Sequence, residues 1–151
     1  GRLWGTLSVR LRYLKRLAGL LAQAPFEAVM GNVYSARQAL NLYAFVRFCQ
    51  QPALPVEEVL ADFVRQVAMT GGQELLYDLL VFLENRDPWQ EDLPTYMRLP
   101  PLLESAVSPG AIQRSIKDLD KVLRPDSPLL LNGPQHFARS IAAAFRLHRL
   151  S

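Results

Sequence analysis

The stretch GNVYSARQALNLYAFVRFCQQ, residues 31–51, decides the fold of this 151-residue chain. A helix with this sequence is apolar nearly all the way round, which is typical of a helix buried on most sides. Ser35 is suited to cap the helix at its start, and Pro52 and Pro55 prevent its continuation. We therefore predict a central helix. Its polar side chains between positions 36 and 49 are Arg37, Gln38, Asn41 and Arg47, with the phenol oxygen of Tyr43.

Outward from this stretch, apolar residues recur at steps of three and four, as they do in amphipathic helices. No alternation typical of strands persists, and Gly and Pro fall between the helical patterns. We expect Glu74, Asp78 and Glu84 to be exposed, and an irregular, Pro-rich segment over 87–101 held to the core by its aromatic residues. The fold class is predicted to be all-α, a single compact bundle of six to eight helices. The predicted helices cover 6–23, 25–30, 36–51, 56–70, where Gly71-Gly72 ends the helix, 73–85, 102–107, 109–123 and 134–150.

Length and composition indicate the broad class of the chain. A chain of 151 residues suffices for one domain, here 1–151. Apolar residues make up 50% and charged residues 21%, an excess that we interpret as surface for partners. No apolar run is long enough to span a membrane. The chain lacks an initiator Met, so we expect it to be an ordered fragment of a longer protein.

Residues with catalytic or metal-binding chemistry are few. The two histidines, His136 and His148, have no partner at a ligand spacing, and the acidic clusters are typical of solvated helix faces. The single cysteine, Cys49, is predicted to be a small core side chain. Gly71-Gly72 lacks the lysine of a phosphate loop. We predict no enzyme activity, no cofactor, no metal and no small-molecule substrate.

Charge is distributed unevenly along the chain. Residues 1–50 carry a net charge of +6, residues 51–100 of −6 and residues 101–151 of +3. This pattern suits a domain that contacts different neighbours on different faces. Two basic helix faces are candidates for contact with a partner or an anion, and weak nucleic-acid contact is the alternative to protein contact. Their residues are Arg10, Arg12, Lys15, Arg16, Arg139, Arg146 and Arg149.

Two parts of the chain resemble a known family. The residues in question are Ala22-Gln23, Gly31-Asn32, Ser35, Ala39-Leu40-Asn41, Ala44-Phe45, Gln51-Pro52 and Phe63-Val64, followed by the leucine-rich segment 123–131. Their order and spacing are similar to those of the adenovirus pre-hexon-linking proteins, the minor capsid proteins IIIa. The resemblance covers about half of the chain, and residues 68–122 do not match.

The resemblance implies a mostly helical protein without catalytic residues. Members of the family act as cement inside the capsid vertex, where they link penton base to the surrounding hexons, contact other minor capsid and packaging proteins and influence genome packaging. The implied location is the virion interior, and the host nucleus during assembly.

Three hypotheses follow from the sequence. The leading one is a structural, non-enzymatic cement or adaptor in a viral capsid, with apolar surface left over for other proteins. The second is a helical nucleic-acid-binding module that uses the two basic faces. The third is a cellular helical adaptor that binds an amphipathic peptide beside the central helix.

Overall fold

The computed structural model of the chain describes residues 7–25, 27, 28, 38–105 and 109–150, with the backbone alone at 109 and 148–150. These residues confirm the predicted all-α class: they form eight α-helical segments and two 3₁₀ turns, and no strand. The α-helices are α1 (Leu11–Ala22), α2 (Ala39–Gln50), α3 (Val56–Val67), α4 (Gln73–Asn85), α5 (Pro88–Glu91), α6 (Pro109–Ile116), α7 (Leu119–Val122) and α8 (Pro134–Leu150).

Helices α4 and α8 have the predicted bounds, and α3 begins as predicted but ends at Val67, before the Gly71-Gly72 pair that was predicted to end it. In α3 every predicted apolar residue is buried, and Glu57 and Glu58 lie in the first turn, where the helix dipole favours acidic side chains. Helix α8 starts with Pro134, whose missing N–H is no loss at that position. Gly133 precedes it with φ of 86°, a conformation that glycine adopts without strain.

Aromatic contacts join the helices into one hydrophobic cluster. The Phe63 ring of α3 lies 5.6 Å from the Tyr43 ring of α2 and 6.1 Å from the Phe137 ring of α8. Phe82 of α4 stacks on Phe145 of α8 at 4.8 Å. Helix α1 packs mainly on α2, and α8 packs on α6 and α7. The core therefore runs through both halves of the sequence.

An antiparallel β-bridge between Ala68 and Leu123 ties the end of α3 to the end of α7. The Met69 N–H donates to the Val122 carbonyl and the Arg124 N–H to the Val67 carbonyl, both at 2.8 Å. This pairing ends both helices and satisfies backbone groups that the helix ends leave free.

Several predicted boundaries are wrong. Helix α1 starts at residue 11, and residues 7–10, which were predicted to be helical, are not. Residues 25, 27 and 28 are not helical, and neither are 102–105; the rest of those two predicted helices lies outside the described residues. The predicted helix 109–123 is interrupted by a turn at 117–118. The segment 87–101 is more regular than expected, since it contains α5 and a 3₁₀ turn.

The prediction of a central helix buried on most sides is also wrong. Helix α2 buries one stripe, Leu40, Ala44 and Phe48, at steps of four. On another side Leu42 is 39% exposed and Val46 is 46% exposed. Cys49, predicted to be in the core, is exposed as well. An apolar sequence does not guarantee burial, because α1 and α3 cover only part of the surface of α2. The predicted cap Ser35 lies outside the described residues.

Gly72 provides a test of the packing between the two halves. A Cβ at Gly72 would overlap the Val122 side chain and lie 2.6 Å from its Cγ2, whereas a Cβ at Gly71 meets nothing within 4 Å. We expect Gly72→Ala to lower the free energy of unfolding by about 1–3 kcal/mol through overpacking, and Gly71→Ala to change it far less. Urea denaturation of both variants measures the difference. Equal stability of the two variants would contradict this packing.

Candidate protein-interaction surface

A buried ion pair fixes the start of α1 against α4. The Glu84 carboxylate accepts the N–H groups of Leu11 at 2.7 Å and Arg12 at 3.1 Å, as well as Arg12 Nε at 2.7 Å. Arg12 Nη2 donates to the Glu84 carbonyl at 2.8 Å. Arg12 is only 7% exposed and Glu84 only 1%. Glu84 therefore acts as the cap of a helix that lies 72 positions before it in the chain.

Burial raises the pKa of the Glu84 carboxyl, and the hydrogen bonds from Arg12 and Leu11 oppose that rise. Three donors surround the carboxylate, so each charge is paired inside the protein rather than hydrated. The prediction that Glu84 is exposed is wrong. The Leu-rich sequence around Glu84 favours its burial, whereas glutamate as a residue type favours exposure.

Three of the four basic residues predicted on α1 and just before it are occupied within the chain. Arg12 is buried; Arg10 lies 3.4 Å from Asp87 and 5.0 Å from the Trp89 ring. Lys15 donates to the carbonyls of Pro52 at 2.7 Å and Leu54 at 2.6 Å. These side chains hold α1 to its neighbours, and Arg16 is the one left exposed.

The basic residues on α8 have a different environment. Arg139 and Arg146 are exposed, and Arg139 borders a groove between α8 and the helices α6 and α7. The side chain of Arg149 lies outside the described residues. The structure therefore places the two predicted basic faces on different elements, and Arg10, Arg12 and Lys15 do not form an open cationic face.

Helix α2 presents an apolar face that sequence reasoning assigned to the core. Leu42 and Val46 line two grooves, one on each side of them. The first groove, of about 380 Å³, lies between α1 and α2 and includes Leu21 and Cys49. The second, of about 300 Å³, includes Leu129 and Leu131, the latter 65% exposed. We call Leu42, Val46, Cys49 and Leu131 the α2 apolar face.

Residues 87–105 form a second unusual surface, which we call the presented segment. Arg12 Nη1 donates to the carbonyls of Leu99 and Pro100, and Asn85 exchanges two hydrogen bonds with the backbone of Leu102. The backbone is thus well anchored. The expectation that Trp89, Tyr96 and Met97 hold it to the core is wrong, because all three are exposed; polar contacts and the buried Leu102 hold it instead. The exposed fractions are 62% for Trp89, 87% for Tyr96, 41% for Met97 and 92% for Leu103.

Asp87 lies at the start of this segment and caps α5. Its Oδ1 accepts the Trp89 N–H at 3.2 Å, while its Oδ2 is buried without a hydrogen-bond partner. Burial raises the pKa of the Asp87 carboxyl, against the opposing effect of Arg10. Its role is structural, since it orients the first turn of α5 and the side chain of Arg10.

The described residues hold no group of three or more His, Cys, Asp or Glu side chains that could bind a metal ion. His136 has its Nε2 buried without a hydrogen-bond partner, and the side chain of His148 is not described. In the same residues no helix combines the length and apolar character that a membrane crossing requires.

Comparisons with protein-family models, with curated proteins and with solved structures find no match to this chain.

The buried pair allows a direct test. Replacing Glu84 with Gln leaves Arg12 as an unpaired buried charge and weakens the cap of α1, so we expect a loss of about 3 kcal/mol or more in the free energy of unfolding. The matched control is Glu74→Gln, on the exposed side of the same helix, with a loss below about 1 kcal/mol. Chemical denaturation compares them. A Glu84→Gln variant as stable as the Glu74→Gln variant would refute this role.

Proposed function

We propose that this chain is a structural, non-enzymatic cement or adaptor in a viral capsid, of the adenovirus vertex type. In that role it links penton base and the surrounding hexons from inside the particle, with a part in assembly and genome packaging. The observation that carries the proposal is the α2 apolar face. It places the side chains of Leu42 and Val46 in solvent on a helix of largely apolar sequence.

The physical reason is the free energy of burial. Exposed apolar surface that is contiguous with grooves is typical of proteins that contact other proteins. Burying such surface is favourable by about 25 cal/mol per Å². Helix α2 is held from behind by Leu40, Ala44 and Phe48, so its outer face is a rigid ridge. A preformed ridge loses little conformational entropy when a partner covers it.

The resemblance to the pre-hexon-linking proteins is the reason for proposing capsid proteins as the partners. Part of it, Ala39-Leu40-Asn41 and Ala44-Phe45, lies on α2. In the structure Leu40 and Ala44 are buried, and Asn41 bonds to the backbone of Ser8 and Arg10. These residues position α2 against α1 and so orient its apolar face.

Nucleic-acid binding is favoured by fewer residues than the sequence indicates. A phosphate-binding surface needs cations that are free to neutralise phosphates and so displace the counterions condensed on the nucleic acid. Arg10, Arg12 and Lys15 are already engaged within the chain. We therefore place protein contact ahead of nucleic-acid contact.

A pair of matched substitutions tests the proposal. Leu42 on the α2 apolar face and Leu147 on α8 are 39% and 38% exposed. We expect the unmodified chain to bind purified adenovirus penton base or hexon in surface plasmon resonance. Leu42→Lys should weaken that binding at least about tenfold, because it buries a charge in an apolar contact, whereas Leu147→Lys should leave it unchanged. Absence of binding to both capsid proteins, or equal binding by the two variants, would contradict the proposal.

A further inference from the structure

The presented segment is ordered by polar contacts while its largest apolar side chains face solvent. Arg98 adds to this order, since its guanidinium donates to the carbonyls of Leu93 at 2.9 Å and Glu91 at 2.8 Å. Gln90 accepts the Leu99 N–H at 3.0 Å. None of these bonds buries Tyr96, which is 87% exposed. A fixed backbone with a free aromatic side chain is preorganised for contact with another surface.

The exposed charge of the same segment is acidic. Glu91 and Asp92 are exposed, and within the described residues neither carboxylate makes an ion pair. The one basic residue of the segment, Arg98, is occupied by the two carbonyl groups. A partner surface that suits this segment would therefore have an apolar hollow for Tyr96 and cations beside that hollow.

Such a hollow is formed by the C-terminal part of the chain. The groove between α8 and the helices α6 and α7 has a volume of about 310 Å³. Ile116, Ala138 and Ala142 provide its apolar lining, and Lys117 and Arg139 are exposed at it. Neither cation makes an ion pair among the described residues. Asp120 also lines the groove, and the nearby exposed Arg114 and Arg146 keep this region basic.

We propose that the presented segment of one copy docks in the α6–α8 groove of a second copy, with Tyr96 in the apolar hollow and Glu91 and Asp92 beside Lys117 and Arg139. Within one copy Tyr96, Lys117 and Arg139 are all exposed, so the two surfaces do not cover each other. The charge complementarity of the two surfaces identifies the occupant as another copy of this chain. The inference does not depend on the capsid function, and it uses no residue of the α2 apolar face.

This contact joins two different surfaces, so it is heterologous. A heterologous contact continues from copy to copy until it closes into a ring or forms an open chain. The association is therefore expected to exceed a dimer as protein concentration rises, and to weaken with salt because its charges are exposed. An isologous contact through α2 would stop at a dimer.

Charge reversal tests the pairing. In sedimentation velocity at low salt, Glu91→Lys with Asp92→Lys should weaken self-association at least about tenfold, and so should Lys117→Glu with Arg139→Glu. A mixture of the two variants restores opposite charges at every contact, so it should recover the assemblies of the unmodified chain. The matched control, Glu57→Lys with Glu58→Lys, reverses two adjacent exposed acids on α3 and should assemble normally. Thermal melting of each variant confirms that it is folded.

The inference is overturned if the unmodified chain stays monomeric at high concentration and low salt. It is equally overturned if assembly is insensitive to both reversals, or if the mixture of the two reversed variants fails to reassemble. Loss of capsid-protein binding by Leu42→Lys with unchanged self-association would leave this inference intact, so the two proposals fail separately.

Discussion

The buried pair of Arg12 and Glu84 is the contact on which the arrangement of this fold depends. One carboxylate accepts the first N–H groups of α1 and one guanidinium reaches the carbonyls of Leu99 and Pro100. Three separate parts of the sequence, near 12, 84 and 100, are thereby fixed to one another. Buried pairs of this kind contribute little net stability over an apolar replacement, but removing one partner is costly. Their effect is to specify one arrangement of the elements.

Two surfaces follow from that arrangement. Helix α1 packs on one side of α2, and Leu42 and Val46 on another side stay in solvent. Since Arg12 anchors residues 99 and 100, the presented segment keeps its shape without using Tyr96 for its own packing. Polar groups therefore help to fix these elements around the hydrophobic core, while some apolar groups are left at the surface. Exposed apolar surface of this kind is typical of proteins that contact other proteins.

The sequence predicted the fold class and the helices with strong periodicity, because burial on a single face leaves a pattern at steps of three and four. It failed where contacts between distant residues decide the outcome. No local pattern indicates that Glu84 caps α1, since the partners are 72 positions apart. The exposure of Leu42 and Val46 on α2 could not be predicted either, because residue type does not distinguish an apolar side chain at the surface from one in the core. Arg12 and Lys15 were likewise predicted to lie on a basic helix face, because the sequence does not indicate the distant carboxylate and carbonyl groups that these side chains contact.

The central claim is that the α2 apolar face is covered by another protein in an icosahedral assembly. Cryo-electron microscopy of virus particles purified from cells that produce this protein tests it most directly. The account predicts helical density for this chain inside the vertex, with Leu42 and Val46 against a capsid protein. Density for this chain in which that face borders only solvent, or particles that lack the chain altogether, would contradict it.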